Sequence, residues 1–163
     1  MILRILKFVR LPMLLILLYA VGRFMLGVRG VPYAPRGNAI FSVFGVTLIS
    51  SLYFGALSKK VGGFGWVGTL LIGFTLGLFA QILIFSATWI SLTAGLNTYF
   101  IHWDSLNLPE GATATMQQAM KARVGGLVFG WIFPTVFALL GRVLGVLAPN
   151  PAAKYEAEKV SVK

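Results

Sequence analysis

From Trp66 to Leu96 the chain carries no charged side chain at all. As a helix at ~1.5 Å per residue, that run would be roughly 46 Å long, more than the ~30 Å hydrocarbon core of a bilayer, so it must tilt or project. Three further apolar segments, at about 11–28, 39–57 and 124–147, lie near the roughly 20 residues that a crossing needs. Pro12 falls in the first turn of the earliest, where a helix tolerates proline, and Pro149 and Pro151 stop the last. Composition agrees: 58% of residues are hydrophobic and 11% are charged, mean hydropathy is +0.86, and an average soluble domain carries roughly 25% charged residues. The expected fold is all-α and membrane-integral. Four transmembrane helices form an up-down bundle, preceded by a short basic interfacial segment over 1–10 and followed by a polar cytoplasmic tail over 148–163.

In the first ten residues Arg4, Lys7 and Arg10 recur every three positions among apolar neighbours, the pattern of an interfacial helix with a basic edge toward phosphates. A signal peptide is the rival reading, with Ala20-Val21-Gly22 as a weak cleavage site; we take the segment as a retained first helix. Residues 29–38 read as a loop and 58–65 as a tight basic turn. The longest exposed stretch, about 97–123, holds the single histidine; within it Thr115-Met116-Gln117-Gln118 has capping-box spacing.

Net charge is +10, from 14 Lys+Arg against four acids. In a chain this apolar, the excess reads as helix-flanking positive charge meeting anionic headgroups, with no call for nucleic acid. Eight basic residues fall on the side of the termini (Arg4, Lys7, Arg10, Lys59, Lys60, Lys154, Lys159, Lys163) and four on the other (Arg29, Arg36, Lys121, Arg123). Both termini are therefore expected in the cytoplasm of a multi-pass protein of the cell (inner or plasma) membrane. Arg23 and Arg142 lie near span ends and are expected to snorkel; Arg142 joins Arg4, Lys7, Arg10, Lys59 and Lys60 as a headgroup contact.

Reactive groups are scarce where membrane chemistry needs them. Proton-coupled carriers depend on a carboxylate or histidine inside the bilayer, and all four acids and His102 fall outside the spans. A lone histidine cannot build an HExxH zinc site or a serine–histidine pair within spans, and the chain has no cysteine. No enzymatic activity and no metal site is expected. His102, in Tyr99-Phe100-Ile101-His102-Trp103-Asp104, is the one side chain that could serve as axial ligand to a haem or chlorophyll-type pigment. We favour an interfacial aromatic belt that includes a histidine.

Packing signals are stronger. Gly73-Phe74-Thr75-Leu76-Gly77, Gly126-Leu127-Val128-Phe129-Gly130 and Gly141-Arg142-Val143-Leu144-Gly145 each place two glycines one turn apart on a helix face. Gln81 continues the first ridge near mid-span, as interhelical glue or, less favoured, as pore lining. Thr47, Ser51 and Ser58 either answer it or bond back to their own helix. These features lead to a non-catalytic accessory or structural subunit of a larger membrane complex, a bioenergetic or photosynthetic assembly being a natural setting. Its partners would be other integral membrane subunits, with anionic and structural lipids and no soluble substrate. The alternative is a small oligomeric channel or carrier lined by Gln81 and the span hydroxyls.

Overall fold

A computed structural model describes residues 1–33 and 41–147. The start of the expected second span, part of the 29–38 loop and the 148–163 tail lie outside the described residues. The described chain is helical without strands: α1 (Ile2–Phe8), α2 (Arg10–Val28), α3 (Val43–Lys60), α4 (Trp66–Thr93), α5 (Met116–Phe129) and α6 (Ile132–Leu147), with one 3-10 turn at Asp104–Leu106.

Two prolines explain why six helices stand where the sequence has fewer apolar runs. Pro12 has no amide hydrogen to offer Phe8, and the helix bends at Val9 (φ −96°, ψ 10°) between α1 and α2. The ladder resumes at once, with Val9 N donating to Ile5 O at 2.9 Å and Met13 N to Val9 O at 3.0 Å. The basic segment is thus continuous with the first apolar helix, and its Ile5 and Val9 are buried. Pro134 does the same to the last apolar run. It cannot donate to Gly130 O, and α5 gives way to α6 at Gly130 and Trp131.

Three stretches are long and apolar enough to cross a membrane: Arg10–Val28, Trp66–Thr93 and Met116–Leu147. The expected second span, now α3, is not among them: it ends on Lys59 and Lys60 and carries Thr47, Ser50, Ser51 and Ser58, all four buried. The third ends at Thr93, short of the expected Leu96, with Gly95 (φ +65°) in the left-handed region just beyond. Thr115 caps α5, accepting from Gln118 N, and the capping box is complete.

Helix directions follow from what touches what. Phe44 meets Phe133 and, further along, the Leu52 and Ala56 backbone faces Gly141 and Gly145, so α3 and α6 run parallel. Helix α4 opposes both: Thr69 meets Ser58 and Arg142, Gly73 meets Thr135, Gly77 meets Trp131, and Thr88 meets Arg123. Helix α2 runs with α4, since Arg4 lies by Gly62 at one end and Phe24 by Phe100 at the other. Ile5, Val9, Ile16, Ile72, Leu76 and Ala80 form the core between them. Outward faces carry bulky apolar side chains, among them Leu14, Leu18, Ile49, Phe133, Val136 and Leu140.

Candidate functional site

The polar side chains gather at the two ends of the helical body, each around an arginine of the α5–α6 rod. At the first end, Arg142 is only 8% exposed. Its Nη1 donates to Phe64 O and Thr69 Oγ1, both at 2.8 Å, and to Ser58 Oγ at 3.5 Å; its guanidinium lies 4.5 Å from the Trp66 ring centre. Ser58 and Thr69 share a hydrogen bond of 2.8 Å, and Ser58 also donates to Gly55 O at 2.7 Å. Arg142, expected to reach headgroups, is turned inward instead onto the α3–α4 turn. That turn folds over it, with Gly63 at φ +64°, and a carbonyl and two hydroxyls meet the guanidinium.

At the second end Arg123 holds the segment after α4. Its Nε donates to Thr88 Oγ1 at 2.9 Å, Nη2 to Phe100 O at 2.6 Å, and Nη1 to Ser105 O at 3.3 Å. Ser91 and Thr98 bond across the same segment at 2.6 Å. Arg23 stands beside them, over the rings of Tyr33 (5.4 Å), Tyr99 (5.5 Å) and Phe100 (5.9 Å), with Nη2 donating to Tyr33 Oη at 3.2 Å. It is half-buried among these aromatic rings.

His102 belongs to this cluster. Its ring stacks on Tyr33 at 3.9 Å and 9°, and Nδ1 accepts from Asp104 N at 3.3 Å. A ring accepting at Nδ1 carries its neutral-form proton on Nε2, the reverse of what axial ligation through Nε2 requires. Burial pushes its pKa below the ordinary value; Asp104 opposes that and Arg23 adds to it. No group of three His, Asp, Glu or Cys converges to hold a metal among the described residues.

The remaining expected residues fall into two sets. Arg4, Lys7, Arg10, Lys59 and Lys60 are exposed and lie at the Arg142 end, where Arg4 also donates to Gly62 O at 3.3 Å. The glycines and Gln81 face other helices of the same chain. A Cβ at Gly73 would lie 2.5 Å from Thr135 Cα, and one at Gly77 would lie 2.7 Å from Trp131 Cα. Gly141 is pressed against Leu52 O and Gly145 against Ala56 O, closer than any Cβ allows. Gln81 lies across Gly126 and Gly130, beside the break between α5 and α6. Thr47 bonds back to Val43 O at 2.6 Å, so it does not answer Gln81, and Ser51 Oγ is buried without a partner among the described residues.

Sequence reasoning missed both arginine clusters as internal ties. No local signal marks them, because the acceptors Phe64 O and Phe100 O lie far along the chain from the arginines they meet. No protein family, curated protein or solved structure matches this chain.

Proposed function

We propose that this chain is a non-catalytic, multi-pass integral membrane protein acting as an accessory or structural subunit of a larger membrane assembly. The observation that carries the reading is the inward turn of its polar and small residues. Both interior arginines and the hydroxyl pairs Ser58–Thr69 and Ser91–Thr98 are spent on the chain's own loops. The glycines of the long helices meet its own backbones. What remains for neighbours is a perimeter of large apolar side chains, so partners would meet leucine, valine and phenylalanine faces and not the glycine ridges.

In this reading α3 is a fourth crossing, its hydroxyls shielded between α4 and α6, and the body is an up-down four-helix bundle with both termini cytoplasmic. Cysteine labelling tests the topology without background, because the chain has no cysteine. Lys59 and Glu110 are exposed, unlike Ser58 and Ser105, which the arginines hold. Impermeant maleimide on intact cells should label Glu110→Cys and spare Lys59→Cys; the reverse pattern overturns the orientation.

The function is tested by mild-detergent extraction with photo-crosslinkers at Val136 and Leu140. Crosslinks to another membrane protein, in a complex well above 17.7 kDa or a small multiple of it, are expected. Extraction as a lone monomer sinks the subunit reading. Ion flux in liposomes that Gln81→Leu abolishes would replace it with the channel.

A further inference from the structure

Helices α2 and α4 run side by side and pack into one apolar cluster. Toward one end Ile16, Ile72 and Leu76 belong to that core, all fully buried. At the other, the chain returning from α4 is wedged against α2: a Cβ at Gly27 would lie 2.7 Å from Thr98 Cα and from Tyr99 N. Between these contacts the small side chains of Ala20, Ser86 and Ala87 leave a groove of about 270 Å³, walled further by Leu17, Phe24 and Ile90. No charged residue lines it, and both walls are long and apolar enough to cross a membrane. Its mouth therefore opens toward hydrocarbon. A single turn of a second helix, roughly 10 Å across and about 5.4 Å long, exceeds a groove of about 270 Å³, whereas a chain of methylenes does not.

The groove also has a charged end. Phe24, which lines it, has its ring 6.5 Å from that of Phe100, and the Arg23 guanidinium lies 5.9 Å from the centre of Phe100. A positive charge thus stands one ring beyond the apolar slot. A guanidinium has five N–H donors, and Arg23 makes one hydrogen bond among the described residues, to Tyr33 Oη. An apolar slot ending in a planar cation with donors to spare is complementary to an amphiphile with an anionic head.

We infer that the α2–α4 groove binds one acyl chain of an anionic phospholipid whose phosphate is held by Arg23. The inference rests on the membrane reading above and adds a located lipid to it. The headgroup end lies with the aromatic cluster, on the opposite side of the body from Arg4, Lys7 and Lys59, so this lipid belongs to the other leaflet from the one those residues meet.

The test uses the full chain reconstituted in bilayers of equal phosphatidylglycerol and phosphatidylcholine with identical acyl chains. The protein is re-extracted gently, and the lipid it retains is counted by native mass spectrometry. One basic residue near a headgroup corresponds to a preference for phosphatidylglycerol of roughly fivefold. Ser86→Trp, at an exposed groove position, should lower retention of both lipids; Val21→Trp, also exposed, serves if the first variant loses helicity. Arg23→Gln should lower the preference by roughly that factor, to what the basic residues of the other end sustain, and leave chain retention, while Arg23→Lys should restore it. Equal retention of the two lipids by the parent, or undiminished retention in a folded groove-filling variant, overturns the assignment. A parent that fails to enter bilayers at all overturns the membrane reading instead.

Discussion

Arg142 and Arg123 perform the same kind of work at opposite ends of one rod, and the differences between them are instructive. Arg142 sits under a short turn whose path is already set by helix ends: Phe64 N donates to Ser58 O and Gly62 N to Leu57 O. It adds a cation to a frame that local hydrogen bonds have built. Arg123 sits under the segment from Thr98 to Leu106, where the only regular structure is one 3-10 turn. There the arginine replaces secondary structure, gathering a carbonyl from Phe100, another from Ser105 and a hydroxyl from Thr88. The Arg142 end is therefore deep, neutral in its acceptors and over-determined. The Arg123 end is shared with Arg23 and the titratable His102, in a loop tied down by side chains, Ser91 to Thr98 and Tyr99 to Val31 O among them.

The largest expected effect is at the over-determined end. Arg142→Leu strands Phe64 O in an apolar surround and takes the cation from Thr69 and Ser58, which keep only their bonds to each other and to their own helix. Hydrogen bonds to charged groups contribute ~1.5–3 kcal/mol each, so a loss of about 3 kcal/mol is expected in detergent unfolding titrations. Arg142→Lys should recover only part, because an ammonium lacks the planar fork and its stacking on Trp66. A variant as stable as the parent would mean that the turn stands without the arginine.

At the other end Arg123→Gln should cost less, about 2 kcal/mol, because the loop it holds can reach water when released. The distinguishing readout is local. Hydrogen exchange should accelerate over residues 98–106 while the 61–65 turn keeps its protection. Uniform acceleration across both ends would show that the two arginines hold their segments alike.

The glycines next to each arginine sharpen it further. A Cβ at Gly141 would strike the Leu52 carbonyl, which is helix backbone and cannot yield, whereas one at Gly126 would meet only the Gln81 amide oxygen at 2.7 Å, the end of a flexible side chain. Gly141→Ala should destabilise by roughly 1–3 kcal/mol, as overpacking does, and Gly126→Ala by well under 1 kcal/mol. Equal costs would show that α3 and α6 can part as easily as Gln81 can turn.

What could be read in advance divides along the same line. Apolar runs, the glycine-punctuated 58–65 turn and the Thr115 capping box are local patterns, and local patterns are written in consecutive residues. The break before Pro134 was also available locally, since an interior proline removes a helix hydrogen bond, but a continuous run of apolar residues obscured it. The arginine ties join residues far apart: Arg142 to Phe64, Arg123 to Thr88. Proximity to a span end says that an arginine can reach headgroups, and nothing local says that a carbonyl meets it. Helix α3 shows the converse. Its hydroxyls and terminal lysines dilute its apolarity, and only packing against α4 and α6 shows why they are tolerated.

The smallest expected effect is a dependence on pH confined to the Arg123 end. Burial, reinforced by Arg23 and opposed by Asp104, lowers the folded-state pKa of His102 below its ordinary 6.5. The unfolded chain then binds the proton more readily than the folded one, so stability rises with pH across that window. Above 6.5 the ring is neutral in both states and the folded loop keeps its full stability; as pH falls toward the folded pKa, part is lost. The structural cause is specific: a protonated ring has no acceptor at Nδ1 for Asp104 N, and it adds a cation beside Arg23. Because the chain has one histidine, its imidazole resonances identify themselves by NMR, and titration should give a midpoint below 6.5 with the Nε2-protonated tautomer above it. Exchange over residues 98–106 should quicken on acidification, the 61–65 turn should not respond, and His102→Phe should flatten the profile. A midpoint at or above 6.5, or a response of equal size at the Arg142 end, would show that the two ends do not differ in electrostatic character.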